Sequence, residues 1–295
     1  MVKKSKEINF QSGQSISLDY LTTGSGNPKT LIISGIHGNE KTGQIIINKL
    51  IERLPSFPGS LTLLPVANPT GFAKNIREEA FSGLDLNRNF FETVEDTHVA
   101  KITTAIGVFA KEHDYVIDLH NFKTDGLIQV VSNHIGRSDE LAMLFRPDIV
   151  RTSGKNKSLK KSGTLNTYLK ENNISYVLLE LPIHTKVSEE KIDRVVSGLL
   201  THLANPGEYK NNSYLSELPK VGIRVLKAEM PGKFIKNTDM ALSCEVSEGA
   251  LLGEIVLGTS HHEIRSPYAG IICEIDPDET RTVVVGDTLI GIGEQ

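Results

Sequence analysis

Cysteine is scarce in this chain, and long apolar runs are missing altogether. The two cysteines, Cys244 and Cys273, lie in strand-like stretches of the last quarter. Their placement is typical of reduced core residues and argues against a fold held by disulfides. No apolar stretch approaches the roughly 18 residues that cross a bilayer, and the polar start MVKKSKEINF does not resemble a signal peptide. These absences predict a cytoplasmic protein without a membrane partner.

An excess of positive charge is also missing. The 295 residues carry 32 Lys and Arg against 36 Asp and Glu, for a formal net charge of -4. Such a balance gives no global attraction to nucleic acid or to acidic lipid. We therefore expect no nucleic-acid partner, and any cationic binding site must be local. The sequence leaves homo-oligomerisation open.

Hydrophobic patterning divides the chain into two parts. Residues 1–205 alternate short apolar runs with helical patterns, which is typical of an α/β fold with a mixed sheet and helices on both faces. Residues 206–218 are rich in turn-forming and polar residues and are predicted to be a linker. Residues 219–295 carry short β-branched runs broken by Gly, Pro and Asp, which indicate a small all-β domain, a barrel or a sandwich.

The period of the apolar residues predicts the elements of the first part. Strands are expected at residues 15–21, 30–33, 60–65, 115–119, 127–131 and 176–181. Helices are expected at residues 41–54, 98–112, 138–145, 164–172 and 189–203. The last of these helices has a broad apolar face, so it should pack on the sheet.

The most informative pair of residues is His37 and Glu40, in the segment LIISGIHGNE. They lie between the strand predicted at 30–33 and the helix predicted at 41–54. Residues three apart share a face of a helix, so an imidazole and a carboxylate in the first turn can point at one ion. Two His and one Glu, with an open position for water, form a standard ligand set of catalytic zinc.

A third ligand is predicted at the end of another strand. The strand at 115–119 runs into the sequence Asp118-Leu119-His120. The carboxyl ends of parallel strands meet at one edge of an open α/β sheet, where ligands bind. We therefore predict one Zn²⁺ ion per chain, held by His37, Glu40 and His120.

Two arginines and an asparagine lie between these metal-binding segments. A hydrolase that acts on an N-acyl amino acid or a peptide end needs a planar fork for the free carboxylate, and Asn87 and Arg88 suit that role. It also needs a cation beside the carbonyl oxygen that becomes negative in the transition state. Arg77 suits this second role.

Glu180 lies near the end of the strand predicted at 176–181, within an apolar stretch. A carboxylate in an apolar setting is costly unless it is paired or functional. We predict that Glu180 is the general base for the attacking water. The alternative is a structural glutamate that is paired with a Lys or Arg.

The motifs GxHGNE, NP with an Arg nine positions after the Asn, DLNR, DLHN and the strand glutamate occur here in the order of one family. The sequence resembles the succinylglutamate desuccinylase/aspartoacylase family of zinc hydrolases, a deacylase branch related to the zinc carboxypeptidases. The resemblance covers the whole first part and implies a carboxypeptidase-like catalytic domain. It also implies zinc binding by His37, Glu40 and His120.

The resemblance assigns roles to the remaining candidates as well. The match to Glu180 activates the water, the match to Arg77 polarises the scissile carbonyl, and the matches to Asn87 and Arg88 hold the substrate carboxylate. The chain departs from the family pattern after Glu180, where Leu181 and Pro182 stand although Gly is usual two residues after the base. It also lacks a further carboxylate-binding arginine in the stretch before Glu180, which offers Lys155, Lys157, Lys160 and Lys161.

The sequence thus predicts a zinc-dependent hydrolase that cleaves the amide bond of an N-acyl amino acid or a similar small carboxylate. A carboxypeptidase or peptide amidase of the same superfamily is the first alternative, and it would need a cleft open to a peptide. A non-enzymatic binding protein that uses the C-terminal β domain is the second. That domain resembles a biotinyl/lipoyl hammerhead, but no Lys follows Lys236 to carry such a group, so we predict a structural or covering role.

Overall fold

The computed structural model describes residues 1–91, 97–152, 163–209 and 216–294. Residues 210–215 of the predicted linker lie outside these ranges. So do the four lysines that precede Glu180, namely Lys155, Lys157, Lys160 and Lys161. Within the described ranges, no helix combines the length and apolar character needed to cross a membrane.

A large mixed sheet of 13 strands organises the described residues. The strands of the first part are β1 (Val2–Asn9), β2 (Ser15–Ser25), β3 (Lys29–Ser34), β4 (Gly59–Leu64), β5 (Tyr115–Asn121), β6 (Asp125–Gly126), β7 (Gln129–Ser132), β8 (Ile149–Arg151) and β9 (Ser175–Leu181). Their order across the sheet is β1-β2-β4-β3-β5-β9-β7-β8, and β6 lies off this path. The mixed sheet predicted from the sequence is confirmed.

The centre of the sheet is parallel. Strand β3 runs parallel to β4 and β5, and β5 runs parallel to β9. The carboxyl ends of β3, β5 and β9 therefore meet at one edge. There His120 of β5 stands opposite Glu180 of β9 in the register of the two strands.

Helices cover both faces of the sheet, as the apolar periodicity predicts. They are α1 (Thr42–Arg53), α2 (Pro69–Lys74), α3 (His98–Lys111), α4 (Ser138–Met143), α5 (Leu165–Glu171) and α6 (Glu189–Ala204). The short helix α2 is missing from the sequence prediction. Its start signals are nevertheless ordinary, because the Asn68 side chain accepts from Gly71 N and Pro69 occupies the first position.

Alternate residues of the central strands enter two hydrophobic cores. On β3, Ile32 packs into the core that includes residues of α1, α4 and α6, whereas Leu31 and Ile33 pack into the core that includes residues of α3 and α5. All three side chains are fully buried. Burial on both faces explains why such strands are continuous apolar runs in the sequence rather than alternating ones.

Residues 219–294 form the β module. Its strands are β10 (Lys220–Lys227), β11 (Gly232–Lys236), β12 (Glu245–Val246), β13 (Leu251–Leu257), β14 (Ser260–Arg265), β15 (Gly270–Ile275), β16 (Thr280–Val283) and β17 (Thr288–Glu294). Strands β10, β17, β15 and β12 continue the large sheet beyond β8, and β14, β13, β11 and β16 form a second sheet. A core that includes Phe234, Leu252 and Ile272 packs within the module.

His202 on α6 makes the stability of the first part depend on pH. Its Nε2 atom lies 2.8 Å from Thr30 Oγ1, its Nδ1 atom lies 2.5 Å from the Tyr209 hydroxyl, and the side chain is fully buried. Burial lowers the pKa of His202 from 6.5 to about 4. As the pH falls, the unfolded chain therefore binds this proton before the folded chain does, and folding stability decreases.

We expect this histidine to remove roughly 2 kcal/mol of unfolding free energy between about pH 7 and about pH 5. His202→Gln loses the buried hydrogen bonds and is therefore less stable than the wild type at about pH 7. Because glutamine does not titrate, the variant escapes the loss of stability that the wild type suffers at lower pH. The difference in unfolding free energy between the two proteins should therefore shrink by that amount at about pH 5. Urea titrations at both pH values measure the penalty. The exposed His262→Gln is the control and should keep the wild-type pH dependence. A His202→Gln penalty that is equal at both pH values would contradict the linkage.

Candidate active site

His37 and Glu40 lie in the turn between β3 and α1. The helix begins at Thr42, so the expectation that the pair shares a first helical turn is wrong. The chain instead folds back at Gly38, and Glu40 N–H donates to the His37 carbonyl at 3.1 Å. A Cβ atom at Gly38 would lie 2.0 Å from the Gly71 backbone carbon, so only glycine allows this close approach.

The turn and β5 bring His37, Glu40 and His120 together. Glu40 Oε1 lies 2.7 Å from His37 Nδ1, and Glu40 Oε2 lies 3.0 Å from His120 Nδ1. The two Nδ1 atoms are 3.1 Å apart. One donor atom from each buried residue lies within 4.8 Å of the others, so this cluster could hold a metal ion.

Two further carboxylates contact the Nε2 atoms of the two imidazoles. Asp85 Oδ1 lies 3.2 Å from His37 Nε2, and Asp118 Oδ2 lies 3.0 Å from His120 Nε2. The Tyr176 hydroxyl donates to Asp118 Oδ2 at 2.8 Å. A carboxylate at Nε2 keeps the ring N–H on that side and leaves the Nδ1 lone pair for a metal. The donor set therefore fits zinc.

The charges around the cluster attract a cation. Burial by itself raises the pKa of Glu40, but His120 and His37 hold that pKa well below its usual range. Burial likewise lowers the pKa of His120, but the carboxylates of Asp118 and Glu40 raise it well above its usual value. The raised pKa of His120 reflects the neighbouring carboxylates, whose negative charge a proton or a metal ion can neutralise.

Arg77 lies beside this cluster. Its Nε and Nη2 atoms donate to Asp85 Oδ2 at 3.1 and 3.0 Å, and its Nη1 lies 3.4 Å from Glu40 Oε1. Asp85 thus contacts both His37 and Arg77 and fixes their relative position. Burial raises the pKa of Asp85, but the hydrogen bond from His37 and the charges of His37 and Arg77 outweigh it and keep that pKa well below its usual range.

Arg88 and Asn87 lie on a 3₁₀ turn, Leu86–Arg88, which Asp85 caps by accepting from Asn87 N. Arg88 Nη1 donates to the Asn87 carbonyl at 2.7 Å, and no carboxylate of the described residues lies within ion-pair distance of Arg88. Asn87 is buried, and its Oδ1 accepts from Leu165 N at 2.9 Å. Arg88 therefore faces the site with donors that no described carboxylate uses, whereas one side-chain atom of Asn87 anchors α5.

Glu180 has a charged neighbour that the sequence prediction missed. Arg151 Nη1 of β8 lies 3.2 Å from Glu180 Oε1, so the apolar setting expected around Glu180 is wrong. The side chains of Arg151 and Glu180 are 32% and 20% exposed. The two residues are distant in the sequence, and the strand order β9-β7-β8 brings them together.

Several of these side chains line a cavity of about 780 Å³. Its wall includes His37, Glu40, Arg77, Arg88, Arg151 and Glu180 from the first part. The β module contributes Val225, Glu274, Arg281, Asp287 and Thr288 to the same wall. Asn87 and His120 do not line this wall and lie buried behind it.

Comparison with known proteins identifies the relatives of this chain. Residues 26–205 match the family model described as succinylglutamate desuccinylase/aspartoacylase catalytic domain. The match spans more than half of the chain. The chain belongs to this family. No curated protein matches the sequence.

Solved structures agree with the fold. The product-bound ectoine utilization protein EutE (DoeB) of Ruegeria pomeroyi superimposes with a TM-score of 0.75 at 18% identity, covering 99% of this chain and 93% of the other. The succinylglutamate desuccinylase/aspartoacylase of Rhodobacter sphaeroides gives a TM-score of 0.73 at 18% identity, covering 99% and 94%. At this identity the likeness establishes the architecture of both parts and nothing finer.

The region that matches the family model contains all seven predicted site residues, namely His37, Glu40, Arg77, Asn87, Arg88, His120 and Glu180. Arg151 lies in that region too, although no local motif marks it. Glu274 and Arg281 lie beyond it in the β module. The only sequence signal for Glu274 is its position between the apolar residues Cys273 and Ile275, because burying a carboxylate there costs free energy unless it is paired or functional.

Proposed function

We propose that this protein is a zinc-dependent hydrolase that cleaves the amide bond of an N-acyl amino acid or a similar small carboxylate. The observation that carries the proposal is one cavity that combines a buried His37–Glu40–His120 cluster with Glu180 and Arg88. The proposed organisation is a carboxypeptidase-like catalytic unit at 1–205, a linker at 206–218 and the β module at 219–295. Family membership supports the reaction class.

His37, Glu40 and His120 would hold the zinc ion. A zinc ion bound there would make a water molecule nucleophilic at neutral pH and act as a Lewis acid toward the scissile carbonyl. Glu180, in the same cavity, takes a proton from the attacking water and returns it to the leaving amine. The Arg77 guanidinium, fixed by Asp85, stabilises negative charge on the carbonyl oxygen.

Arg88 is the proposed binding group for the substrate carboxylate. It lines the cavity and has no carboxylate partner among the described residues. An unpaired guanidinium presents a planar fork that matches a carboxylate. In this proposal Asn87 acts with Arg88, since its carbonyl accepts from Arg88 Nη1.

The wall contributed by the β module favours a small substrate over a peptide. Val225, Arg281 and Asp287 line a cavity of about 780 Å³, a size that suits a small molecule. The Ruegeria pomeroyi relative, described as product-bound, also handles a ligand in this architecture. A carboxypeptidase or peptide amidase would need an open cleft here, and a module that only binds ligands would not need Glu180 beside a metal cluster.

A screen of N-acetyl, N-succinyl and N-formyl amino acids, each as the free acid and as the amide, tests the proposal. Arg88→Lys should lower kcat/KM on the acid by about 10-fold or more, because the ammonium keeps the charge but not the paired donors. On the amide, the variant and the wild type should be equally slow. Steady-state kinetics on matched acid and amide substrates measures both effects.

Arg53→Lys is the matched control. Arg53 lies on α1 in an ion pair with Asp193, outside the cavity wall, so the same replacement there should leave both substrates unaffected. Equal wild-type rates on acid and amide would remove the carboxylate pocket from the proposal. Absence of hydrolysis for every acyl group, with zinc bound, would remove the deacylase activity itself.

A further inference from the structure

Glu274 is a buried carboxylate that the β module places in the wall of the cavity. Its side chain is only 2% exposed, and burial raises its pKa. Burying a carboxylate costs free energy unless hydrogen bonds or charges compensate it. The Gln129 amide of β7 donates to Glu274 Oε1 at 3.0 Å and supplies part of this compensation across the junction of the two parts.

The backbone around Glu274 is shaped to hold this side chain. Glu274 on β15 stands opposite Gly126 of β6 and Gly291 of β17. A Cβ atom at Gly291 would lie 2.8 Å from Glu274 Cβ, so the absence of a side chain there leaves the room that Glu274 occupies. The carboxylate is therefore directed into the junction rather than accommodated there by a flexible loop.

A continuous polar path leads from Glu274 to Glu180. Gln129 stands opposite Glu180 in the register of β7 with β9, and opposite Ile149 in the register of β7 with β8. Arg151 follows two residues after Ile149 on the same face of β8. Its Nη1 atom lies 3.4 Å from Gln129 Oε1 and 3.2 Å from Glu180 Oε1.

We propose that Arg151 is a positioning residue for Glu180, and that Glu274 of the β module holds Arg151 in place through Gln129. This inference rests on the proposed role of Glu180 as the base. The guanidinium restrains one oxygen of Glu180 from the side of β8, while the Gln129 amide, fixed by Glu274, limits where the guanidinium can go. The β module thereby contributes to the chemical step as well as to the cavity wall.

Four variants test the path by their effect on kcat against KM. Arg151→Met and Glu274→Leu should each lower kcat by about 10- to 100-fold, because a small displacement of the base is enough for a loss of that size. KM and zinc content should stay within about 2-fold of the wild type, since neither residue contacts the metal cluster. Arg151→Lys and Glu274→Gln keep the charge or the acceptor oxygen and should recover part of kcat.

The double variant Arg151→Met/Glu274→Leu separates a shared path from two independent effects. Residues that act through one another are not additive, so the double variant should be no slower than the slower single variant. Lys186→Met is the control, because it breaks another ion pair across the junction, Lys186 with Asp276 at 2.5 Å, outside the cavity wall. Circular dichroism establishes that each variant is folded.

The kinetics are measured on the N-acetyl, N-succinyl or N-formyl amino acid that the wild type cleaves fastest. A Glu274→Leu loss no larger than that of Lys186→Met, or losses that multiply in the double variant, would overturn the inference. Glu180→Gln, assayed in parallel, distinguishes a failure of this inference from a failure of the proposed base. If Glu180→Gln is inactive while Arg151→Met keeps native kcat, the inference about Arg151 and Glu274 fails and the proposed base stands. If Glu180→Gln is fully active, the proposed base fails as well.

Discussion

His120→Ala will yield a folded protein that purifies with almost no zinc and has lost about 10³-fold or more of its hydrolytic activity. Removal of one of the three proposed ligands would leave an incomplete site, and a catalytic metal contributes several kcal/mol to the stability of the transition state. His37→Ala should behave in the same way, because the Nδ1 atoms of both rings face Glu40. Plasma mass spectrometry measures the zinc content, and steady-state kinetics measures the loss of activity.

His113→Ala is the matched control for this experiment. His113 is also buried and lies just before β5, but its ring nitrogens contact the Phe109 carbonyl and Thr62 Oγ1 at 2.9 Å each. Its replacement should therefore lower the melting temperature and leave the zinc content unchanged. Full zinc occupancy in both His37→Ala and His120→Ala would exclude the cluster as the metal site.

Glu180→Gln will lower kcat by about 10²-fold or more while zinc content and KM change little. The amide keeps the size of the side chain and an acceptor oxygen but cannot take a proton from water. The ion pair with Arg151 gives the competing interpretation, in which Glu180 serves structure alone. That interpretation predicts a lower melting temperature and a near-native kcat, because only the partner of the arginine is lost.

The kcat of one Glu180→Gln preparation with full zinc content separates these interpretations, and its melting temperature measures the loss of the ion pair that both of them expect. Glu140→Gln provides the reference for a structural ion pair, since Glu140 pairs with Arg137 at 3.1 Å and its side chain is 24% exposed, close to the 20% of Glu180. Both variants should show similar, small stability losses. A Glu180→Gln enzyme with native kcat would assign the glutamate to structure.

The convergence of His37, Glu40 and His120 could be predicted from the sequence because its signals are local. His37 and Glu40 are three residues apart, and His120 ends an apolar run that forms β5. Their convergence follows from the rule that parallel strands end at one edge. The error concerned the backbone, since residues 37–40 form a turn and α1 begins only at Thr42.

Arg151 and Glu274 could not be predicted in the same way. Each depends on strand pairings between distant segments: β7 with β8, β7 with β9, and β15 with β6. Apolar periodicity indicates that a strand exists but not which strands are its neighbours. Strand β8 is only three residues long, Ile149–Arg151, so even its presence gave no clear signal.

The pairing of β8 with β10 ties the β module to the first part. Val150 N and Thr152 N donate to the carbonyls of Pro219 and Val221, and Leu127 N donates to the Cys273 carbonyl. Leu127, Ile149, Val221 and Cys273 form one buried cluster across this seam. A hinge motion of the β module would break these hydrogen bonds and expose the buried cluster to water. We therefore expect ligands to enter and leave the cavity by rearrangement of side chains, while the two parts stay fixed. Amide hydrogen exchange at Val150 and Thr152 would then be as slow as in the sheet centre.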